Sequence, residues 1–206
     1  NPNPNPNPNP NPNPNPNADP NVDWRRSGKL RALDRLLRDL HLCSENFVWA
    51  DSDEISLNDP GPPIHRDRQV VIFAQLRRSM DLTQAFLQER FPHLRVERLD
   101  GSTRSRDREA IARKFKAREP GVPPEAQLLL ATTAAGGLGL NLTGADVVVM
   151  LEHDWNPSQD MQAMDRAHRI GQRNAVYVYR LIIADSIEQR IMGLQSFKKR
   201  LADTVL

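Results

Sequence analysis

Apolar residues along this chain fall into short runs separated by helical stripes, and the alternation sets the first expectation. Leu30, Leu33, Leu37 and Leu40 recur at the spacing of one helix face, with Ser27 ahead of them as an N-cap. That pattern predicts a helix through about Leu42. From Gln69 the period changes. Gln69-Val70-Val71-Ile72-Phe73 is a short apolar run, expected as a buried strand, and a helix is expected from about Leu76 to Arg90. The unit then repeats. A strand over Arg95–Leu99 precedes a basic helix through about Ala117, and a strand over Gln127–Ala131 leads into a glycine turn. A strand over Ala145–Leu151 precedes a helix from about Ser158. A last strand, Ala175–Ile182, is followed by a closing helix from about Ser186.

Short apolar strands alternating with helices specify an α/β fold, a parallel sheet with helices on both faces. Right-handed crossovers are the default. Ligands of such sheets bind beyond the carboxyl ends of the strands. The hydroxyl, glycine and Asn-Pro segments all follow strands, so they are expected to gather on that one edge.

Two segments stand outside the pattern. Residues 1–16 are a strict Asn-Pro repeat, which cannot pair in a sheet or offset the entropy of ordering. A disordered tail is assigned to 1–26 and a single folded domain to 27–206. From Ser44 to Asp67 the composition turns to Asp, Asn, Ser and Pro, which places an insertion or surface loop at residues 44–68. The 28 Lys+Arg against 26 Asp+Glu leave a net charge of +2, so any DNA contact must come from a local patch. A lone cysteine, Cys43, excludes an internal disulfide and fits a reducing compartment. No run approaches the roughly 20 apolar residues of a membrane span, and no signal peptide opens the chain, so a soluble intracellular domain with no membrane partner is expected.

The richest chemistry lies between Ala131 and Gln172. Gly136-Gly137-Leu138-Gly139 frees the backbone for close approach by a ligand, although a glycine turn needed only for packing has the same look. Its neighbours Thr132, Thr133, Asn141, Thr143 and Asp146 offer donors and acceptors for phosphate and for holding the turn. Downstream, Gln162, Arg166 and Arg169 stand at i, i+4 and i+7, one face of the expected helix. Two arginines on a rigid element suit a polyphosphate transition state. The bland alternative is a surface pair of Asp165 with Arg169, worth only about 0.3–0.5 kcal/mol. His168 has no companions at metal-ligand spacing, so a positioning hydrogen bond or a core contact is expected of it and no metal site is assigned. Asp100-Gly101-Ser102-Thr103 offers a glycine and two hydroxyls, either as a cap for the next helix or as a phosphate site. The basic side chains that follow, Arg104, Arg106, Arg108, Arg113, Lys114, Lys116 and Arg118, fit a solvated face and a DNA-tracking face equally. Ser27-Gly28-Lys29-Leu30 fails the phosphate-loop pattern, with Asp23 where its first glycine belongs and Leu30 after the lysine, and no Asp-Glu-Ala-His run is present.

ATTAAGGLGLNLTGAD and WNPSQDMQAMDRAHRIGQ together resemble motifs V and VI of superfamily 2 helicase-like ATPases of the SWI/SNF type, and Val70–Gln75 resembles motif IV. The resemblance spans about Ser27 to Leu206 and implies the C-terminal RecA-like lobe alone. It implies arginine fingers at Arg166 and Arg169, and a nucleotide cleft shaped by Gly137, Gly139, Asp146 and Gln162. It also implies DNA-backbone contacts at Gly101, Ser102, Thr103, Thr132 and Thr133. The implied cofactor is ATP with Mg2+, the metal held mainly by an absent N-terminal lobe, so this chain alone is expected to be inactive. The implied partners are double-stranded DNA and that N-terminal RecA-like lobe, in the nucleus. LEHDW, VYRLI and IMGLQSFK are similar to the branch that displaces the TATA-binding protein from promoter DNA. The alternatives are a nucleosome-remodelling or repair translocase, and a non-catalytic binding module that keeps the fold.

Overall fold

The computed structural model describes residues 23–40, 68–117, 122–136 and 139–205. The expected tail through residue 22, nearly all of the expected loop at 44–68, and Gly137 and Arg118 lie outside the described residues. The packed part begins at a short 3-10 turn, Trp24–Arg26, ahead of the boundary expected at residue 27. Trp24 is buried edge-on against Phe86, centroids 5.0 Å apart, and its indole N–H donates to Glu89 at 2.9 Å.

Helix α1 runs Gly28–Asp39, with Ser27 Oγ accepting from the Leu30 N–H at 3.3 Å. Its leucine stripe is buried as the spacing predicts, with Leu36 added. Five strands follow: β1 Val70–Ala74, β2 Val96–Leu99, β3 Leu128–Thr132, β4 Val147–Met150 and β5 Tyr177–Arg180. All pair in parallel, in the order β2-β3-β1-β4-β5. Helices α2 (Arg77–Arg90), α3 (Ser105–Lys114), α4 (Thr133–Gly136), α5 (Pro157–Met164) and α6 (Ile187–Val205) connect or follow them.

The sequence period explains the layers. Alternate strand residues point to opposite faces. Val70, Ile72, Leu128, Leu130, Val147 and Val149 therefore pack with α1 and α2. Val71, Phe73, Leu129, Ala131, Val148 and Met150 pack with Leu99, Phe115 and the small residues Ala135, Ala163 and Ala167 of the other layer. β1, β3 and β4 have no exposed residue, which is why they read as continuous apolar runs.

Candidate functional site

At the carboxyl edge, the turn after β2 is built around Asp100. Its buried carboxylate accepts from the Ser102 N–H at 2.8 Å, the Ser102 hydroxyl, and the Arg98 guanidinium at 3.0 Å. Burial alone would raise its pKa; the bonds from Ser102 and Arg98 outweigh it and hold the carboxyl below its ordinary value. The Asp100 N–H donates to Thr103 Oγ1 at 3.0 Å, and Arg108 donates to the Thr103 and Gly101 carbonyls at 2.7 and 3.3 Å. The capping expectation is thus corrected. Ser102 and Thr103 hold the turn, and α3 starts at an Arg104 N-cap that makes no side-chain cap bond. Gly101 and Ser102 are exposed.

Thr132 is buried, and its Oγ1 accepts from the Ala135 N–H at 3.1 Å, so it caps α4. Thr133 stays half-buried at the first position of α4. Further along the edge, Glu152 reaches back from the end of β4 to the start of α2. Its carboxylate accepts from the Gln75 and Leu76 N–H groups at 2.7 and 3.0 Å and from the Ser79 hydroxyl. The apolar N-cap Leu76 cannot do this for itself.

The run after the glycine turn leaves that edge, which corrects the single-edge expectation, and the arginine segment lies with it. Gly139 through Asp146 carry the chain from the end of β3 to the start of β4, at the amino edge. Asp146 immediately precedes β4 and is buried in an ion pair with Arg68 at 3.2 Å. The pair braces the starts of two neighbouring strands, β1 and β4. Asn141, Thr143 and Gly144 are also turned inward. Asn141 Oδ1 accepts from the Thr143 N–H at 3.2 Å, Thr143 Oγ1 from the Ala117 N–H at 3.3 Å, and the Gly144 N–H donates to the Phe115 carbonyl at 2.7 Å.

Helix α5 starts cleanly, with Asn156 Oδ1 accepting from the Ser158 N–H at 3.1 Å and Pro157 in the first turn. Near that start, the fully buried Asp160 accepts from the Asp154 N–H at 3.2 Å and from Gln195 of α6 at 3.1 Å, beside His153. Burial opposes its charge, but His153, then Gln195 and the Asp154 N–H, outweigh burial and hold its pKa below the ordinary value.

The helix stops at Met164, short of the arginines. The Arg166 and Ala167 N–H groups fall back to carbonyls three residues earlier, Ala163 at 3.3 Å and Met164 at 3.0 Å. The Arg166 carbonyl is taken instead by the Leu142 N–H at 3.0 Å. Gly171, at φ 103°, then reverses the chain, a conformation that favours glycine. Gln162 therefore sits exposed on α5, while Arg166 and Arg169 occupy the loop after it. The shared helix face expected from their spacing does not exist.

The loop still brings the arginines to the glycine segment. Arg169 is exposed and its Nη1 donates to the Gly139 carbonyl at 3.4 Å. Arg166 is half-buried. Both line an open cleft of about 700 Å³ with His168, Ile170 and Gln172. His168 is exposed there, which corrects the expected core contact, and among the described residues no ion pair joins Asp165 to Arg169. The cleft thus carries an exposed Arg169 guanidinium with Arg166 half-buried beside it, side chains whose chemistry suits an anion. Among the described residues no group of three or more His, Cys, Asp or Glu side chains forms a metal-holding cluster.

Lys29 shows why the SGKL run is no phosphate loop. It opens α1, and the ammonium donates to the Leu151 carbonyl and pairs with Glu188, tying α1 to α6. Sequence reading gave no role of their own to Asp100, Glu152, Asp160 and Gln172. Only Asp100 carries a local signal, since Asp-Gly-Ser after a strand marks an Asx-type turn; the partners of Glu152 are 73 to 77 residues distant.

The helicase conserved C-terminal domain matches residues 57–171. The TATA-binding protein-associated factor MOT1 of Saccharomyces cerevisiae is 44% identical over 182 residues, covering 86% of this chain and 9% of that protein. The human TATA-binding protein-associated factor 172 is 43% identical over 185 residues, 89% of this chain and 9% of the relative. The ATP-dependent helicase brm of Drosophila melanogaster is 40% identical over 184 residues, again 89% and 9%. The crystal structure of the C-terminal part of the Fun30 ATPase domain superposes with a TM-score of 0.64 at 31% identity, covering 85% of this chain and 47% of that one. The chain spans about a tenth of the length of the curated relatives it matches.

Proposed function

Since the chain belongs to the helicase conserved C-terminal domain family, as the C-terminal RecA-like lobe of a SWI/SNF-type ATPase, we propose that it supplies the arginine half of a DNA-stimulated ATP-hydrolysing site. The observation that carries this reading is the loop holding Arg166 and Arg169 beside the Gly139 carbonyl on an open cleft. A separate P-loop lobe would bring the nucleotide to this cleft, and Mg2+, held mainly by that lobe, would neutralise phosphate charge. Arg166 and Arg169 then meet the transferring phosphoryl, where planar guanidinium forks match the charge spread over its equatorial oxygens. Gly139 and the exposed Gln162 flank the nucleotide.

DNA belongs to the other edge in this reading. The Asp100 turn presents Gly101, Ser102 and the arginines of α3 to backbone phosphates, which gives binding without base information. A nucleotide on one edge and DNA on the other let lobe closure be converted into movement along the duplex. The names of the relatives support a nuclear remodeller of TATA-binding protein–DNA complexes, its protein substrate gripped by regions outside this chain.

The test joins this chain to a P-loop lobe and measures ATPase rate with and without duplex DNA, beside DNA affinity at fixed salt. Arg169→Ala should lower DNA-stimulated kcat by about 10²-fold or more with DNA affinity kept, and Arg169→Lys should rescue it poorly. Near-normal stimulated turnover with lost DNA affinity would instead assign this loop to the DNA groove.

A further inference from the structure

The arginine loop lacks the rigidity of a helix, since α5 ends at Met164 and the chain reverses at Gly171. Something else must fix the two guanidinium groups. One contact is the Leu142 N–H on the Arg166 carbonyl, and a second is the Gln172 side chain. Gln172 is half-buried on the far side of the reversal. Its Nε2 donates to the Ala145 carbonyl at 2.8 Å and to the Ala167 carbonyl at 3.2 Å, and its Oε1 accepts from the Asn174 N–H at 2.9 Å. The Gln172 backbone N–H closes the turn onto the Arg169 carbonyl at 2.9 Å.

This arrangement spends the side chain. An amide has two N–H donors, and both are engaged by backbone carbonyls. Gln172 borders the cleft, yet it can reach a nucleotide only by releasing one of those bonds. The two carbonyls have different owners. Ala167 lies between Arg166 and Arg169 on the loop, whereas Ala145 lies next to Asp146 and its buried pair with Arg68, at the amino end of β4. The amide therefore bridges the arginine loop to the chain entering β4.

We infer that Gln172 is a positioning residue for ATP hydrolysis: it registers the arginine loop against the sheet so that Arg166 and Arg169 are in place before the lobes close. The inference rests on the arginine-loop reading above. A misplacement of about 1 Å at a catalytic group can cost on the order of 10²-fold in rate. A shift of that size leaves nucleotide affinity alone if the P-loop lobe supplies most ground-state contacts.

The experiment uses this chain joined to a P-loop lobe, and compares Gln172→Leu, Gln172→Asn and Arg169→Ala. The leucine variant keeps the shape without donors. It should lower DNA-stimulated kcat by about 10- to 100-fold, with KM for ATP and affinity for a blunt DNA duplex close to the parent values and thermal unfolding still cooperative at a lowered Tm. The asparagine variant keeps an amide one methylene shorter, can hold one carbonyl, and should fall between; it carries the same comparison if the leucine variant does not fold. Unchanged kcat, a raised KM at constant kcat, or a loss of DNA affinity in step with kcat each overturns the assignment. Arg169→Ala separates the two readings. If it loses turnover and the Gln172 variants do not, only the positioning role fails; if it keeps turnover, the arginine reading fails whatever Gln172 does.

Discussion

Gly144 shows what a single residue carries here. A Cβ at this position would lie 2.5 Å from the Lys116 carbonyl oxygen and 2.5 Å from Gln69 Oε1. The first is backbone, and the second belongs to an amide already bound to the Lys114 and Ala126 carbonyls at 2.7 Å. Gly144→Ala should therefore destabilise the fold by about 1–3 kcal/mol, the range of core overpacking, read as a lowered urea midpoint at unchanged m. An unmoved midpoint would mean that the segment after α3 yields freely. The sequence made the Asn-Leu-Thr-Gly-Ala-Asp block visible as special but not its purpose. Its residue types suit a phosphate as well as a turn, and what separates the two is where each side chain points. Thr143 meets an N–H 26 residues away, and Asp146 meets Arg68 across the sheet. No local pattern encodes such partners.

Among the elements, strands were the most legible and helix ends the least. Runs such as Val-Val-Ile-Phe-Ala have to be buried on both faces wherever they sit, so each strand falls within a residue or two of its expected place. The end of α5 was hidden because spacing alone would have carried the helix past Arg169. A tertiary bond from Leu142 captures the carbonyl that the next turn needs. The start of α2 is the complementary case, where Glu152 replaces a cap that the local sequence lacks. Glu152→Ala should lower stability by about 1–2 kcal/mol, as loss of an N-cap does. Hydrogen exchange at the Gln75 and Leu76 amides should speed up ahead of the rest of α2. Equal protection in variant and parent would show that water serves those N–H groups as well.

For the whole molecule, the architecture was readable from alternation of strand and helix, whereas the separation of the candidate sites onto two edges was not. The Asp100 turn lies beyond a carboxyl end, where such sheets are expected to take ligands, and the arginines do not, because α5 returns the chain to the amino edge before they occur. Having the arginines without a phosphate loop, Asn1–Leu206 purified alone should show no DNA-stimulated ATP turnover; robust turnover in a contaminant-free preparation would overturn the one-lobe reading. The strand order has a consequence for biosynthesis. β1 lies at the centre of the sheet and is made first, yet its neighbours β3 and β4 come later, with Val70 pairing to Leu128 and Val147. While a ribosome adds residues one at a time, the stickiest strand waits for both partners, and long-range parallel pairing is slow even once they exist. Newly made chains therefore pass through an interval in which the two edges of Val-Val-Ile-Phe-Ala have no strand to pair with and are open to other chains.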